Sequence, residues 1–251
     1  MSMPGALRRL WVINPNTSVG VSALLQQHVQ AAAGNQVQVR TFTARFGAAY
    51  IACEASYAVA SHAALDAWAA ALAAGELPDA VLVGCFGDPG LLALRESSPV
   101  PVTGLAEASF ITAARHGRFA IVTGGERWGP MLQRLADALG HAPQLAGIHT
   151  VAPTGAQLAA DPTAARALLA DACRSAAEHT GAEAVILGGA GLAGMAGAVQ
   201  PLVPVPVIDS VSAGAHWALA GAAAGAGRTL PACDVAWEGV SRELQALGLR
   251  G

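Results

Sequence analysis

Eight short apolar runs, separated by turn residues or long alanine-rich stretches, leave this chain few architectures. They are LWVIN (10–14), VQVRTF (37–42), AVLVG (80–84), PVTGL (101–105), FAIVT (119–123), GIHTV (147–151), AVILG (184–188) and PVPVID (204–209). Apolar runs without polar alternation predict strands buried on both faces. Between them lie the helical stretches SALLQQHVQAAA, AVASHAALDAWAAALAA, GPMLQRLADALG and AARALLADACRSAAEHTG. Strands alternating with helices predict parallel sheets, so the fold class is α/β.

The chain also repeats its own phrases. DAVLVGCFGDPG (79–90) aligns with EAVILGGAGLAG (183–194) at an offset of 104, and PVPV at 99–102 with PVPV at 204–207 at an offset of 105. LWVINPNTSVG (10–20) parallels FAIVTGGERWG (119–129), which sets Asn14 opposite Thr123. Each match is short, but their common order predicts a duplicated unit. Open parallel sheets bind ligands beyond the carboxyl ends of their strands. All the repeated turns fall at such ends, so two facing halves would gather Asn14, Cys85, Thr123 and Gly189 around one cleft.

Composition excludes several classes. The 251 residues suit one large domain or two small ones, and the formal net charge of −3 offers no basic surface for nucleic acid or an acidic membrane. Mean hydropathy is +0.44, yet the most apolar helical stretch carries His62 and Asp66, and the alanine–glycine tract near His216 is too weakly apolar to span a bilayer. The apolar run after Arg8 and Arg9 stops at Asn14, too soon for a signal peptide. The expectation is a soluble, cytoplasmic protein. Cys53, Cys85, Cys173 and Cys233 form no CxxC pair and no zinc-ligand spacing with histidine, so no metal site is expected.

Cys85 is the sharpest chemical candidate. It follows a strand and precedes Phe-Gly-Asp-Pro-Gly, which cannot continue regular structure. Turn amides and a following helix N-terminus would lower its pKa and ready a thiolate. The bland alternative is a small buried residue. The INPNTS turn (13–18) is stiffened by Pro15 and offers Asn14, Asn16, Thr17 and Ser18 as polar groups before a helix; it would either hold a ligand oxygen or simply cap the helix. TGGERW (123–128) lacks the P-loop pattern, and Gly189-Ala190-Gly191 onward is a GxGxxG-like match without the acidic residue a ribose contact needs, so nucleotide binding is rejected. Glu107 and Asp209 end strands in matching places and are expected to cap helices.

INPNTS, GCFGDPGLLALRE, PVTGLAEAS, FAIVT, AEAVILGGAGLA and PVPVIDSV together resemble the hydantoin racemase branch of the aspartate/glutamate racemase superfamily, across nearly the whole chain. The resemblance implies two pseudo-symmetric, flavodoxin-like α/β subdomains, residues 1–106 plus 209–251 and residues 107–208, with the active site between them. It implies a cofactor-independent reaction, with neither metal nor pyridoxal, in which two cysteines on opposite faces of the substrate move a proton at a carbon alpha to a carbonyl. Cys85 matches the first of these cysteines. Gly189 stands where the second is expected, and neither Cys53, Cys173 nor Cys233 aligns there; only Cys53, in YIACEASY, lies on a segment that could approach the cleft. The expected site is therefore Cys85 as acid and base, with Asn14, Thr17, Phe86, Thr123 and Gly124 as substrate contacts. Gly189 and Ala190 would line the far wall and donate backbone N–H groups.

The substrate class implied is a cyclic ureide, an amino acid or a related carboxylate. Three readings remain open: a racemase whose second proton comes from water or another side chain, a one-thiol decarboxylase like arylmalonate decarboxylase, and a non-catalytic binder. Alanine on helix surfaces suggests a homo-oligomer.

Overall fold

The computed structural model describes residues 7–152, 157, 161–223 and 235–248. Cys233 lies outside them. The described chain forms two four-stranded parallel sheets, ordered β2-β1-β3-β4 and β6-β5-β7-β8. The first sheet contains β1 (Arg8–Asn14), β2 (Val37–Thr43), β3 (Ala80–Val83) and β4 (Val102–Gly104), and the second β5 (Phe119–Gly124), β6 (Leu145–Val151), β7 (Ala184–Gly188) and β8 (Val207–Asp209). All eight strands expected from the apolar runs are present. β4 and β8 are shorter than their runs because Pro101, Pro204 and Pro206 have no N–H for the ladder.

Helices cover the sheets: α1 (Val19–Ala33), α2 (Glu54–Ala73), α3 (Leu91–Ser97), α4 (Leu105–Ala114), α5 (Trp128–Ala138), α6 (Pro162–Thr180), α7 (Met195–Val199), α8 (Ser210–Ala223) and α9 (Arg242–Gly248). Local chemistry sets their ends. Ser18 Oγ accepts the Val21 N–H at 3.3 Å and caps α1. Asp161 caps α6, whose first residue is Pro162, and Gly181 closes it in the left-handed region at φ 65°. None of the described helices is long and apolar enough to cross a membrane.

The two sheets follow one pattern. Leu10 pairs with Ala80 in the first ladder as Phe119 pairs with Ala184 in the second, which are the positions that the sequence repeat sets opposite one another. After β8 the chain returns to the first half: α8 packs on α1, α4 and β3. The core is continuous across the halves. Leu10, Val12 and Leu82 of the first sheet, Phe119, Ile121 and Ile186 of the second, and Phe110 of α4 belong to one buried cluster. Phe110 stacks on Phe119 at 5.7 Å and meets Phe86 edge-on at 6.3 Å, carrying aromatic contact from one half into the other.

Each half also ties the turn after its central strand to the helix after its edge strand, and the two do so from opposite ends. In the first half Asp88, in the turn after β3, accepts the Ala106 and Glu107 N–H groups of α4 at 2.9 and 2.8 Å. In the second half Asp209, at the end of β8, accepts the Val211 and Ser212 N–H groups of α8 at 3.0 and 2.9 Å and the Gly194 N–H at 3.0 Å. The ladder position matching Asp209 is Gly104, not Glu107. Glu107 caps nothing; it pairs with Arg95 at 2.6 Å and accepts the Thr103 hydroxyl at 3.0 Å. Gly104 leaves the room that Asp88 fills, since a Cβ there would lie 2.0 Å from the Asp88 carboxyl carbon.

Gly104→Ala should therefore push Asp88 off the α4 N-terminus and destabilise the fold by about 1–3 kcal/mol in urea unfolding. An unchanged midpoint would show that the clamp contributes nothing.

Candidate active site

The carboxyl ends of β1, β3, β5 and β7 converge on one cavity of about 110 Å³. By this measure one water needs roughly 10–15 Å³, so the space suits a small molecule and not a polymer segment. Its walls include Asn16 and Ser18 after β1, Gly84, Cys85 and Phe86 after β3, Thr123 and Gly124 at the end of β5, and Gly188 to Leu192 at and after β7. Val21, Ala49, Tyr50, Ile51 and Trp128 complete it.

Two rings close the halves on each other. A Cβ on Gly188 would lie 2.2 Å from the Phe86 ring, and a Cβ on Gly87 would lie 2.4 Å from the Trp128 ring. Only glycine admits either contact. Gly87 is also at φ 142°, where a side chain is strained. Phe86 thus reaches from the first half to β7, and Trp128, the first residue of α5, reaches back to the turn after Cys85. Tyr57 of α2 fixes that turn from outside by donating its hydroxyl to the Gly87 carbonyl at 2.7 Å.

Cys85 follows the end of β3 and is 8% exposed, its sulfur a free thiol. The turn does not lower its pKa as the sequence suggests. Burial pushes the thiol well above its ordinary range, and the nearby Asp88 carboxylate adds to the rise. Burial also pushes Asp88 up to about 7, against the Ala106, Glu107 and Gly87 N–H groups that favour its charged form. Asp88 sits at φ 53° and its own N–H donates to the Cys85 carbonyl at 3.0 Å, so carboxylate and thiol share one rigid turn.

Six of the expected residues, Cys85, Phe86, Thr123, Gly124, Gly189 and Ala190, line the cavity. Asn14 and Thr17 do not. Asn14 is fully buried, and its amide nitrogen faces Asn16 Oδ1 at 3.1 Å, the Ser18 carbonyl at 3.2 Å and Ser22 Oγ at 2.9 Å. It shapes the turn and leaves no group for a ligand. The turn's own amides are also committed: Asn16 N–H to Asn14 Oδ1, Thr17 N–H to the Ala48 carbonyl, and Ser18 N–H to Asn16 Oδ1. The polar groups this segment brings to the cavity are those of Asn16 and Ser18. On the far wall the Gly189 N–H donates to Ser210 Oγ at 3.2 Å and is not spare for a substrate. Gly189 is at φ 144°, and a Cβ built on it would come no closer than 3.5 Å, to Leu192, so there is space for a side chain but a backbone that strains one.

Tyr50 and Trp128 carry no motif and were missed in the sequence. Tyr50 comes from the segment after β2, and its hydroxyl donates to the Gly124 carbonyl at 3.3 Å. Cys53, on the same segment, stands at the N-terminus of α2 and does not line the cavity. Hydrogen bonds from Ser56 and nearby backbone pull its thiol below the ordinary range. Cys173 is buried in α6 among core residues.

Two measurements follow. At pH 7.5 iodoacetamide should alkylate Cys53 at least about tenfold faster than Cys85, read by peptide mass spectrometry; the reverse order would contradict the two opposite shifts. Between about pH 4 and 7 the folded chain holds the Asp88 proton more tightly than the unfolded chain, so this group's contribution to stability falls as pH rises through that window. The unfolding free energy of wild type relative to Asp88→Asn should accordingly decline from pH 4.5 to 7.5, and a flat difference would contradict the raised carboxyl.

Comparison with known proteins agrees with this layout. The family model described as Asp/Glu/hydantoin racemase matches residues 10–218. A hydantoin racemase from a Pseudomonas sp. is 32% identical over 213 residues, covering 84% of each chain, and one from Paenarthrobacter aurescens is 32% identical over 210 residues, covering 82% of this chain and 87% of the relative. Among solved structures, an allantoin racemase from Klebsiella pneumoniae superposes with a TM-score of 0.86 at 29% identity, over 96% of this chain and 99% of its own. Arylmalonate decarboxylase, at a TM-score of 0.59 and 20% identity over 87% of this chain and 94% of its own, shares the fold. With two like-patterned parallel sheets meeting at a cavity, and with these relatives over most of its length, the chain is an enzyme of the Asp/Glu/hydantoin racemase family.

Proposed function

We propose that this enzyme moves a proton at a carbon alpha to a carbonyl in a small molecule, a 5-substituted hydantoin or related cyclic ureide, with Cys85 as the acid and base and no cofactor. The observation that carries this reading is the position of Cys85: a free thiol at the end of a central strand, in the wall of the small cavity between the halves. A bound substrate would set its acidic carbon against the sulfur. Asn16, Ser18 and Thr123 would meet the ring's carbonyl oxygens, and the donors among them would stabilise charge as the enolate forms. Phe86, Trp128 and Leu192 would enclose the substituent.

In the unliganded enzyme the raised thiol is neutral at pH 7, so it is ready to give a proton and must first lose one to act as base. A one-face reaction, protonation of an enolate left by decarboxylation, is the second reading. It is favoured by Gly189: the segment from Gly188 to Leu192 presents no thiol, hydroxyl or acid to the substrate's far face. The return of the C-terminal segment to the first half is supported by the packing of α8 on α1 and β3, while the boundaries at 106/107 and 208/209 fall within α4 and β8. Exposed Val59, Leu92 and Leu168 support a homo-oligomer, and we place the enzyme in the cytoplasm.

In heavy water the wild type should exchange the alpha hydrogen of the 5-benzylhydantoin enantiomer whose hydrogen faces Cys85, and Cys85→Ala should lower that exchange by at least about a hundredfold. Exchange that survives in Cys85→Ala would remove the thiol from the mechanism. The wild-type rate, less the Cys85→Ala background, should climb about tenfold per pH unit from 7 to 9, because only the thiolate fraction can take the proton. Gly189→Cys should raise the ratio of inversion to exchange while destabilising the fold by about 1–3 kcal/mol through its backbone angle. A folded variant with an unchanged ratio would mean that this wall does not face the substrate.

A further inference from the structure

A cavity with one thiol leaves the substrate's second face without an evident proton source. We propose that the phenol of Tyr50 is the second proton-transfer group, acting on the face opposite Cys85; this rests on the reading of the enzyme as a proton-transfer isomerase.

The lining side chains narrow the choice. Apart from Cys85, those bearing a proton on oxygen or nitrogen are Asn16, Ser18, Tyr50, Thr123 and Trp128. Amide and indole N–H groups do not release protons under these conditions. Aliphatic alcohols such as Ser18 and Thr123 are far weaker acids than a phenol, whose ordinary pKa is about 10. Among the described lining residues no other side chain is an ordinary acid or base.

Its place in the fold also fits. Tyr50 starts from the first half, yet its hydroxyl crosses to the second, donating to the carbonyl of Gly124 at the end of β5, whereas Cys85 stands at the end of β3. Position 125 makes room for it: a Cβ on Gly125 would lie 2.7 Å from the Tyr50 oxygen. The 3.3 Å bond to Gly124 is long, so a substrate can replace it. The residue is 38% exposed, and with Trp128 it also lines an outer groove beside Ala52, Glu126 and Arg127, which gives the phenol a route to water. Tyr50 and Cys85 line the same cavity; burial raises the Tyr50 pKa, a hydrogen bond with Trp128 pulls it back, and the Cys85 charge adds to the rise.

The step balances without a co-reactant. The Cys85 thiolate takes the alpha proton; the C–H bond breaks, an S–H bond forms, and the electron pair stays on the substrate as the enolate. The Tyr50 O–H then breaks, a C–H bond forms on the other face, and a phenolate remains. Water returns a proton to the phenolate and accepts one from the thiol. The reverse reaction begins from the phenolate and the neutral thiol, so both directions use the pair with one proton removed.

The test uses D- and L-5-benzylhydantoin in heavy water with wild type and Tyr50→Phe. The wild type should invert and exchange both enantiomers. Tyr50→Phe should lose inversion by at least about a hundredfold while still exchanging, without inversion, the enantiomer whose hydrogen faces Cys85, at little changed KM. Inversion by folded Tyr50→Phe at the wild-type rate overturns the proposal. Absence of wild-type exchange with either enantiomer instead overturns the isomerase reading beneath it. Replacing Tyr50 with 3-fluorotyrosine, which keeps the ring and lowers the phenol pKa, should move the pH profile of inversion to lower pH. An unmoved profile overturns the proposal even if Tyr50→Phe fails to fold.

Discussion

Phe86 lies against the bare Cα of Gly188, and Trp128 against that of Gly87. These two contacts run in opposite directions between the halves, and much of the site depends on them. Each needs a glycine at or just past the end of a central strand, because a methyl group would occupy the space of the ring. Together they bring the carboxyl ends of β3, β5 and β7 close enough to share one small cavity. They also continue the aromatic path through Phe110 and Phe119, so the wall of the site is an extension of the core. A site built this way gains rigidity from packing density.

The two halves share a pattern but differ in where they keep a carboxylate. In the first, Asp88 stands in the thiol's own turn; in the second, Asp209 stands at the neighbouring strand end. Either position serves the same mechanical purpose, joining a turn to a helix N-terminus. The electrostatic result is unequal. Only the first half sets a negative group near the reactive position, where it joins burial in keeping the sulfur protonated.

Much of this was legible in the sequence, and the reason is periodicity. Strands buried on both faces must be apolar throughout, so β1, β3, β5 and β7 stand out, and their repeat places Cys85, Thr123 and Gly189 at equivalent ends. What could not be read depends on local competition or on distant approach. Asn14 and Thr17 look like ligand groups, but the turn satisfies itself: the Asn14 amide is used within eight residues, by Asn16, Ser18 and Ser22. Tyr50 and Trp128 are separated from Cys85 by many residues and meet it only through the closure of the halves. The direction of the Cys85 shift was misread because amides nearby in sequence suggest a lowered pKa, while the desolvation that outweighs them is a tertiary property.

Gly189 shows how readily such a pocket can change its chemistry and how unevenly. At φ 144° the peptide occupies a conformation open to glycine and costly to other residues, and its N–H is anchored to Ser210. A side chain placed there would require the main chain to move as well as room to be found. A group held elsewhere on the rim is therefore the less strained way to furnish this face of the pocket.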